Sequence, residues 1–444
     1  MAAVAFPEGG ARAWATVGGA WCIQFVGFGY MTSFGVYQGA SSFLYFYTRD
    51  YLSARSPSTI AWIGSVNAFL IVFGGLVSGR LFDRGYFYHL LYGGCVLQCF
   101  SLFMLSLCRP QQLHQIFLAQ GVGVAVGAGV VYVPSVSVVS HYFQRRRALA
   151  LTIVASGSSL GAVIHPILLN NLLKTRGFAV AVRASAGLVS GMVLIACLLM
   201  RSRLPPPLKS APLWASVKRL SGDRAFVLAT IGMTLFTMGP NFPIFYFQLD
   251  AIQHGIDEGL AFYALVIMNS AAVLGRLSPG VLLPQMGQFG IVYLVTGAAF
   301  CASILIFAMI ALKSVASFVI IGVLYGLCAG LYITLSPPLV AFLTKDMGEL
   351  GLRMGIFFAV VALGGLVAPP ISGALLTGGF RWWRAAVFSG VMAFAGACVF
   401  VLLVVAVRRD ARSKLDADTD TGGGEKAQEH GLGSLSRPLE VEGP

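Results

Sequence analysis

The stretch RSRLPPPLKSAPLWASVKRLSGDR, residues 201–224, is the longest break in an otherwise apolar chain. It holds Pro205, Pro206 and Pro207 with Lys209, Lys218 and Arg219, a composition that neither continues a helix nor enters a bilayer. On both sides the sequence returns to long uncharged runs, and a run of about 20 apolar residues is what one helix needs to span the hydrocarbon core. Before the break such runs read as 14–36, 60–82, 88–107, 115–139, 148–171 and 179–200. After it they read as 225–248, 260–283, 289–311, 314–342, 354–377 and 384–407. The expected fold is an all-α membrane protein with twelve transmembrane helices in two six-helix bundles, residues 1–200 and 225–407, joined by a cytosolic loop over 201–224.

Composition gives the same class independently. Of 444 residues, 57% are hydrophobic and 11% charged, against about 25% charged in a soluble domain. Too few polar groups exist to clothe a water-facing surface, so the excess apolar residues must meet lipid. The formal charge of +13 would suggest a nucleic-acid partner in a soluble protein. Here the basic residues sit at the ends of apolar runs, which makes them a topology signal, and no nucleic acid is expected. The eight cysteines lie within or beside the same runs, without the spacing of a metal site or a secreted disulfide framework. Neither metal nor cofactor is expected. No short apolar core with a small-residue cleavage site opens the chain, so the first span reads as a retained helix.

Orientation follows from the Lys and Arg bias of short loops. With the N-terminus in the cytosol, the cytosolic side holds Arg84, the run Arg145-Arg146-Arg147, the basic central loop, Arg353, Arg408 and Arg409. Both termini are then cytosolic. Residues 408–444 turn polar and glycine-rich and read as a disordered cytosolic tail, because they lack the apolar surface that folding needs. A faint repeat relates the halves. The second span ends in Gly75-Leu76-Val77-Ser78-Gly79-Arg80-Leu81-Phe82-Asp83-Arg84-Gly85, and the eighth in Arg276-Leu277-Ser278-Pro279-Gly280 with Pro284 where the acid would stand. Paired six-helix halves place a binding site between them.

Three segments carry a family resemblance. Gly79 with Asp83-Arg84-Gly85 permits close helix contact and sets an acid one turn on, where it can meet a helix N-terminus or a basic side chain. An ordinary charge pair at a helix end is the plain alternative. The opening Pro7-Glu8-Gly9-Gly10-Ala11-Arg12-Ala13-Trp14 sets Glu8 near the positive end of the first helix and Trp14 at headgroup level. Tyr142-Phe143-Gln144-Arg145-Arg146-Arg147 leads into a Gly/Ser stripe, Gly157-Ser158-Ser159-Leu160-Gly161, read as helix packing. Together these resemble the loop motif of the major facilitator superfamily and the signature segments of its monocarboxylate-porter-like, fungal-type members. The resemblance implies a non-enzymatic secondary transporter working by alternating access. It implies gating roles for Gly79, Asp83, Arg84, Glu8 and Arg145, and proton symport; the plasma membrane is the expected location because no sorting signal is visible in the sequence.

Arg276 carries the functional expectation. It lies about two turns, roughly 12 Å, before the end of the eighth span, at a depth where an arginine costs about 2.5–3.5 kcal/mol and is usually functional. Its planar fork matches a carboxylate in two parallel hydrogen bonds. The resemblance implies the same role for an arginine of this helix, while snorkelling to the interface as an anchor is the structural alternative. Family members also place an aspartate one turn earlier, here Ala272, and a lysine in the first helix, whereas no lysine occurs here before Lys174. Tyr37 and Gln38 are the polar candidates of the first span. The substrate groups expected beside Arg276 are therefore Tyr37, Gln38, Asn241, Phe245, Tyr246 and Tyr332. His165 is the candidate proton carrier, since an imidazole titrates near neutrality; a hydrogen-bonded bundle histidine is its structural alternative. Pro240-Asn241-Phe242-Pro243 and Ser336-Pro337-Pro338 are expected to interrupt the seventh and tenth helices, either lining a cavity or packing as kinks. The leading expectation is a carrier of a small organic anion, possible proton coupling included. The alternatives are an exporter of a larger or neutral metabolite with Arg276 as anchor, and a non-transporting sensor.

Overall fold

The computed structural model describes residues 7–32, 52, 57–203, 213–257, 260–261, 263–312, 314–344, 349–376 and 382–432 of the chain. All regular elements among them are helices. α1 is Ala11–Val26 resumed as Phe28–Thr32. It is followed by α2 (Trp62–Asp83), α3 (Phe87–Leu105), α4 (Leu113–Val139), α5 (Arg147–Arg176) and α6 (Phe178–Leu199). The second half begins with α7, Arg224–Met238 resumed as Asn241–Gln253. Then come α8 (Ala264–Leu282), α9 (Gly290–Ala308), α10 (Val315–Leu343), α11 (Leu350–Leu376) and α12 (Trp382–Leu432). Eleven described helices are long and apolar enough to cross a membrane, and the split α1 makes the twelfth.

Helices in lipid keep all backbone bonds internal, so their association depends on close packing rather than on hydrophobicity. Glycines supply the approach. A Cβ at Gly157 or Gly161 of α5 would overlap the backbone of α1 at Trp21 and Phe25, so the Gly/Ser stripe does pack. The second half repeats the device: Cβ atoms at Gly326 and Gly330 of α10 would overlap the α8 backbone at Met268 and Ala272. Large apolar side chains of α3, α6, α9 and α12, among them Val96, Leu198, Ile304 and Leu402, point outward.

Three features depart from the sequence expectation. The first helix breaks at Gly27, and the Val26 carbonyl accepts instead from Gln98 Nε2 at 2.9 Å. The tenth helix is not interrupted: Ser336-Pro337-Pro338 lies inside the continuous α10. Two prolines remove two helical bonds, and the intact turns on either side hold the axis. Finally, α12 continues as helix to Leu432, through much of the stretch expected to be disordered. The chain leaves its apolar span already helical, so further residues extend a helix without a nucleation cost. The segment between the halves also holds a short helix, Leu213–Ser221.

Candidate functional site

α1, α2, α4 and α5 face α7, α8, α10 and α11 across a cavity of about 290 Å³. It extends from the level of Arg276 to Thr32, Ser65, Ile244 and Leu265, toward the face of the molecule opposite the start of α1. We call that the far face, and the face where α1 starts the near face. The walls are mainly apolar, with Phe28, Phe69, Val136 and Phe358 prominent. The uncharged polar side chains along them are Gln24, Thr32, Ser65, Tyr132, Ser158, Thr237, Asn269, Tyr325, Tyr332 and Ser336. Among the described lining residues Arg276 is the one charged side chain.

Arg276 is 8% exposed. Its Nη1 donates to the Ala155 carbonyl at 3.0 Å and to Ser158 Oγ at 2.7 Å, both on α5 of the other bundle. Its Nε is buried without a partner. A buried guanidinium with an unused donor is poised to meet an acceptor, because an unmet buried donor carries its full desolvation cost. Tyr132 of α4 completes this floor, edge-on to Phe28 at 4.8 Å and to Phe358 of the opposite bundle at 5.5 Å. Sequence reasoning missed Tyr132 and sorted Ser158 with the packing stripe. A tyrosine in a run of valines and glycines was the available signal for the first.

The expected break in α7 is present and lines the cavity through Pro240 and Ile244. Tyr325 of α10 donates its hydroxyl to the Pro240 carbonyl at 3.2 Å, satisfying a group close to the break. Tyr325→Phe is expected to destabilise the protein by about 1–2 kcal/mol, read as a lowered thermal midpoint with the protein still folded. Tyr332 lies on the cavity wall, as expected; its hydroxyl meets Thr237 Oγ1 at 3.2 Å and the Met233 sulfur. Asn241, Phe245 and Tyr246 lie on the second segment of α7, and their side chains fall outside the described residues, as do Tyr37 and Gln38 entirely. His165 is fully buried within the first bundle, 5.1 Å from the Phe25 ring and 5.4 Å from Tyr30, with Ser185 Oγ 3.5 Å from Nδ1. It is not part of the described cavity wall.

At the near face the bundles are joined. Asp83, at the end of α2, accepts from the Gly351 and Leu352 backbone N–H groups at 3.1 and 2.7 Å. A carboxylate of one half thus caps the first turn of α11 in the other, where the helix dipole favours negative charge. Gly79 makes the approach possible, since a Cβ there would overlap the Gly351 carbonyl. Arg84 follows Asp83 at the exposed helix end. On the pseudo-equivalent side, Pro284 replaces the acid, and the bundles meet through Arg276 and through Gly280, packed on Leu149 and Thr152.

Glu8 corrects an expectation. Its carboxylate does not serve its own helix; it accepts from Gln144, Arg145 and Arg146 N–H at 2.8, 2.6 and 3.0 Å. It ties down the turn that leads into α5, just ahead of Arg147, and Arg145 contributes its backbone to that contact. The turn that carries the carboxylate there has φ of +53° at Glu8 and +90° at Gly10, a region glycine adopts freely. Trp14 packs beside it with its ring tilted against Phe143, 5.1 Å between centroids. Burial works to raise the Glu8 carboxyl, but the three N–H donors and the Arg146 charge outweigh it and hold the group below its ordinary value. A lowered folded-state value means the stabilisation is present above the ordinary glutamate range and fades as pH falls through the lowered one. Glu8→Ala is accordingly expected to cost about 0.5–1 kcal/mol at pH 7, since solvent screens this partly exposed group, with the thermal midpoints of variant and wild type converging in acid.

Comparison with known proteins agrees with this architecture. Residues 25–313 and 280–438 match the family described as Major Facilitator Superfamily. The chain is 38% identical over 398 residues to the "Aspyridones efflux protein apdF" of Emericella nidulans, covering 88% of this chain and 78% of that protein. It is 35% identical over 404 residues to "MFS-type transporter 1" of an Ophiocordyceps species, covering 89% and 86%. It is 33% identical over 399 residues to the "Fujikurins efflux protein" of Gibberella fujikuroi, covering 89% and 83%. Among solved structures, the fold is similar to the major facilitator transporter FucP in its outward conformation, with a TM-score of 0.66 and 14% identity over 88% of this chain and 98% of that one. It is equally similar to the human organic anion transporter MFSD10 (TETRAN), at a TM-score of 0.66 and 15% identity, covering 88% and 99%.

Proposed function

Because the chain belongs to the major facilitator superfamily and so is a membrane transporter, we propose that it exports a largely apolar metabolite bearing one anionic group. The observation that carries this reading is one guanidinium with an unused donor as the one charged group among the described residues of a mainly apolar cavity. Apolar walls suit a cargo larger and greasier than a short monocarboxylate, and Arg276 suits its acidic end. The naming of two fungal relatives as efflux proteins supports export over uptake. The Lys and Arg bias supports a cytosolic near face, and the plasma membrane is the proposed location. Substrate contacts are assigned to Arg276, Tyr332 and the wall of α7. Gating is assigned to Gly79, Asp83 and Arg84, with Glu8 and the Arg145 backbone fixing the α5 end against which the second bundle closes. His165 receives no coupling role, since it lies away from the cavity wall.

A second reading, a neutral cargo with Arg276 as a structural bolt, is favoured by the hydrogen bonds of Arg276 to Ala155 and Ser158. Thermal stabilisation of the purified protein separates the two. A ligand at a hundred times its dissociation constant adds about 2.7 kcal/mol. Amphipathic aromatic acids are expected to raise the midpoint and their matched amides to leave it unchanged. Equal stabilisation by the amides would remove the anionic reading.

A further inference from the structure

The seventeen acids of the chain are distributed in a telling way. None occurs between Glu8 and Asp50, between Asp83 and Asp223, or between Glu258 and Asp346, so α1, α3 to α6 and α8 to α10 are free of carboxylates. Asp83 caps α11 at the near face. Asp250 of α7 lies beyond Ile244, the last described lining residue of that helix, and pairs with His254 Nδ1 at 3.2 Å. His141 lies in the near-face turn and His165 inside the first bundle. Along the described cavity wall, then, no carboxylate or imidazole faces the cargo, and the charged group that does face it is a guanidinium, which stays protonated. A monoanion held there crosses with its charge uncancelled by any proton taken up on the wall.

One arm of that guanidinium is already engaged within the protein. With the near face closed by Asp83, Arg276 Nη1 donates to Ala155 O and Ser158 Oγ. These acceptors belong to α5 and Arg276 to α8, so they meet only when the two bundles close at the near face. An anion bound from the near side competes with α5 for the same donor once the bundles close. We propose that transport is an electrogenic uniport of a monoanion, in which the Ala155 carbonyl and the Ser158 hydroxyl take the departing anion's place at Arg276. This rests on the anionic reading of the cavity given above. Closure loosens the cargo toward the far face, and an interior-negative potential supplies the direction. Ser158 acts here as a positioning residue through Arg276.

The test uses the purified full chain in proteoliposomes with 2-naphthalenesulfonate, a probe ionised at every working pH. A tenfold potassium gradient with valinomycin imposes a potential; for one charge a tenfold steady-state ratio corresponds to about 59 mV. The expected result is a roughly tenfold probe accumulation on the positive side, and a ratio of one under a pH gradient at zero potential. A ratio that follows the pH gradient and ignores the potential overturns the uniport. A probe that wild-type and Arg276→Gln liposomes alike fail to move counts instead against the anionic reading beneath it. Ser158→Ala removes one competitor, so the purified protein should bind the probe about fivefold more tightly, and Ser158→Thr, which keeps the hydroxyl, should bind it as wild type does. Structural damage would weaken binding; weakened or unchanged binding in Ser158→Ala overturns the replacement role.

Discussion

Arg276→Gln is expected to lower export of an anionic cargo about a hundredfold, with the protein still reaching the membrane in normal amount. Truncating one partner of a buried, hydrogen-bonded charge pair costs about 2–5 kcal/mol, and each 1.4 kcal/mol is a factor of ten. Glutamine fills similar space and keeps one amide donor, so Ser158 and the Ala155 carbonyl retain a partner and the bundles should still close. Lysine at this position keeps the charge but offers a point donor in place of a fork, and an intermediate loss is expected. The measurement is the initial export rate in vesicles, normalised to protein abundance. Wild-type rates in Arg276→Gln for every anion that the native protein carries would show that the side chain is only a bolt between α5 and α8.

Asp83→Ala is expected to open the near face. Asp83 makes two charge-assisted bonds at a helix N-terminus across the bundle interface, and hydrogen bonds to charged groups contribute about 1.5–3 kcal/mol each before the carboxylate's own desolvation is subtracted. A net loss of about 2 kcal/mol shifts the equilibrium between the two facing states roughly thirtyfold. Spin labels at the exposed Gln144 and Met286, in the near-face loops of opposite halves, should report a longer distance. Gly79→Val should do the same by a different route, since a Cβ there already overlaps the Gly351 carbonyl and its side chain would wedge α2 from α11 while also pressing on Val133 of α4. If both variants keep the native distance distribution, the α2–α11 contact does not set the facing state.

The class and the two-half division were legible because lipid imposes one strong rule on sequence, an uncharged run of helical length between polar breaks. Arg276 was legible for the same reason, as a charge at a depth that tolerates few. What sequence did not provide was rotation about a helix axis. In runs that are apolar on every side, nothing tells His165, turned into its own bundle, from a residue turned to the cavity. A Gly/Ser stripe looks the same whether its serine packs or, like Ser158, accepts a hydrogen bond from 118 residues away. Glu8 and Asp83 were both read as acids for helix ends. Their actual partners lie 136 and 268 residues on, and only the tertiary fold decides which backbone N–H groups each acid reaches. Proline was the least reliable mark: Gly239-Pro240 divides α7, while Pro337 and Pro338 leave α10 continuous.

The seam between α2 and α11 is built from bare main chain. Gly79 rests against Gly351, and Gly75 against Gly355, with no room for a Cβ between them. Surfaces lined by long side chains can yield by small rotamer adjustments, so that contact fades gradually as they part. Glycine against glycine has no such compliance, and a gap of up to about one ångström already forfeits roughly a quarter to a half of the attraction. Such a joint behaves as a hard stop with two settings, so single molecules should be seen to jump between facing states rather than drift through partly parted ones.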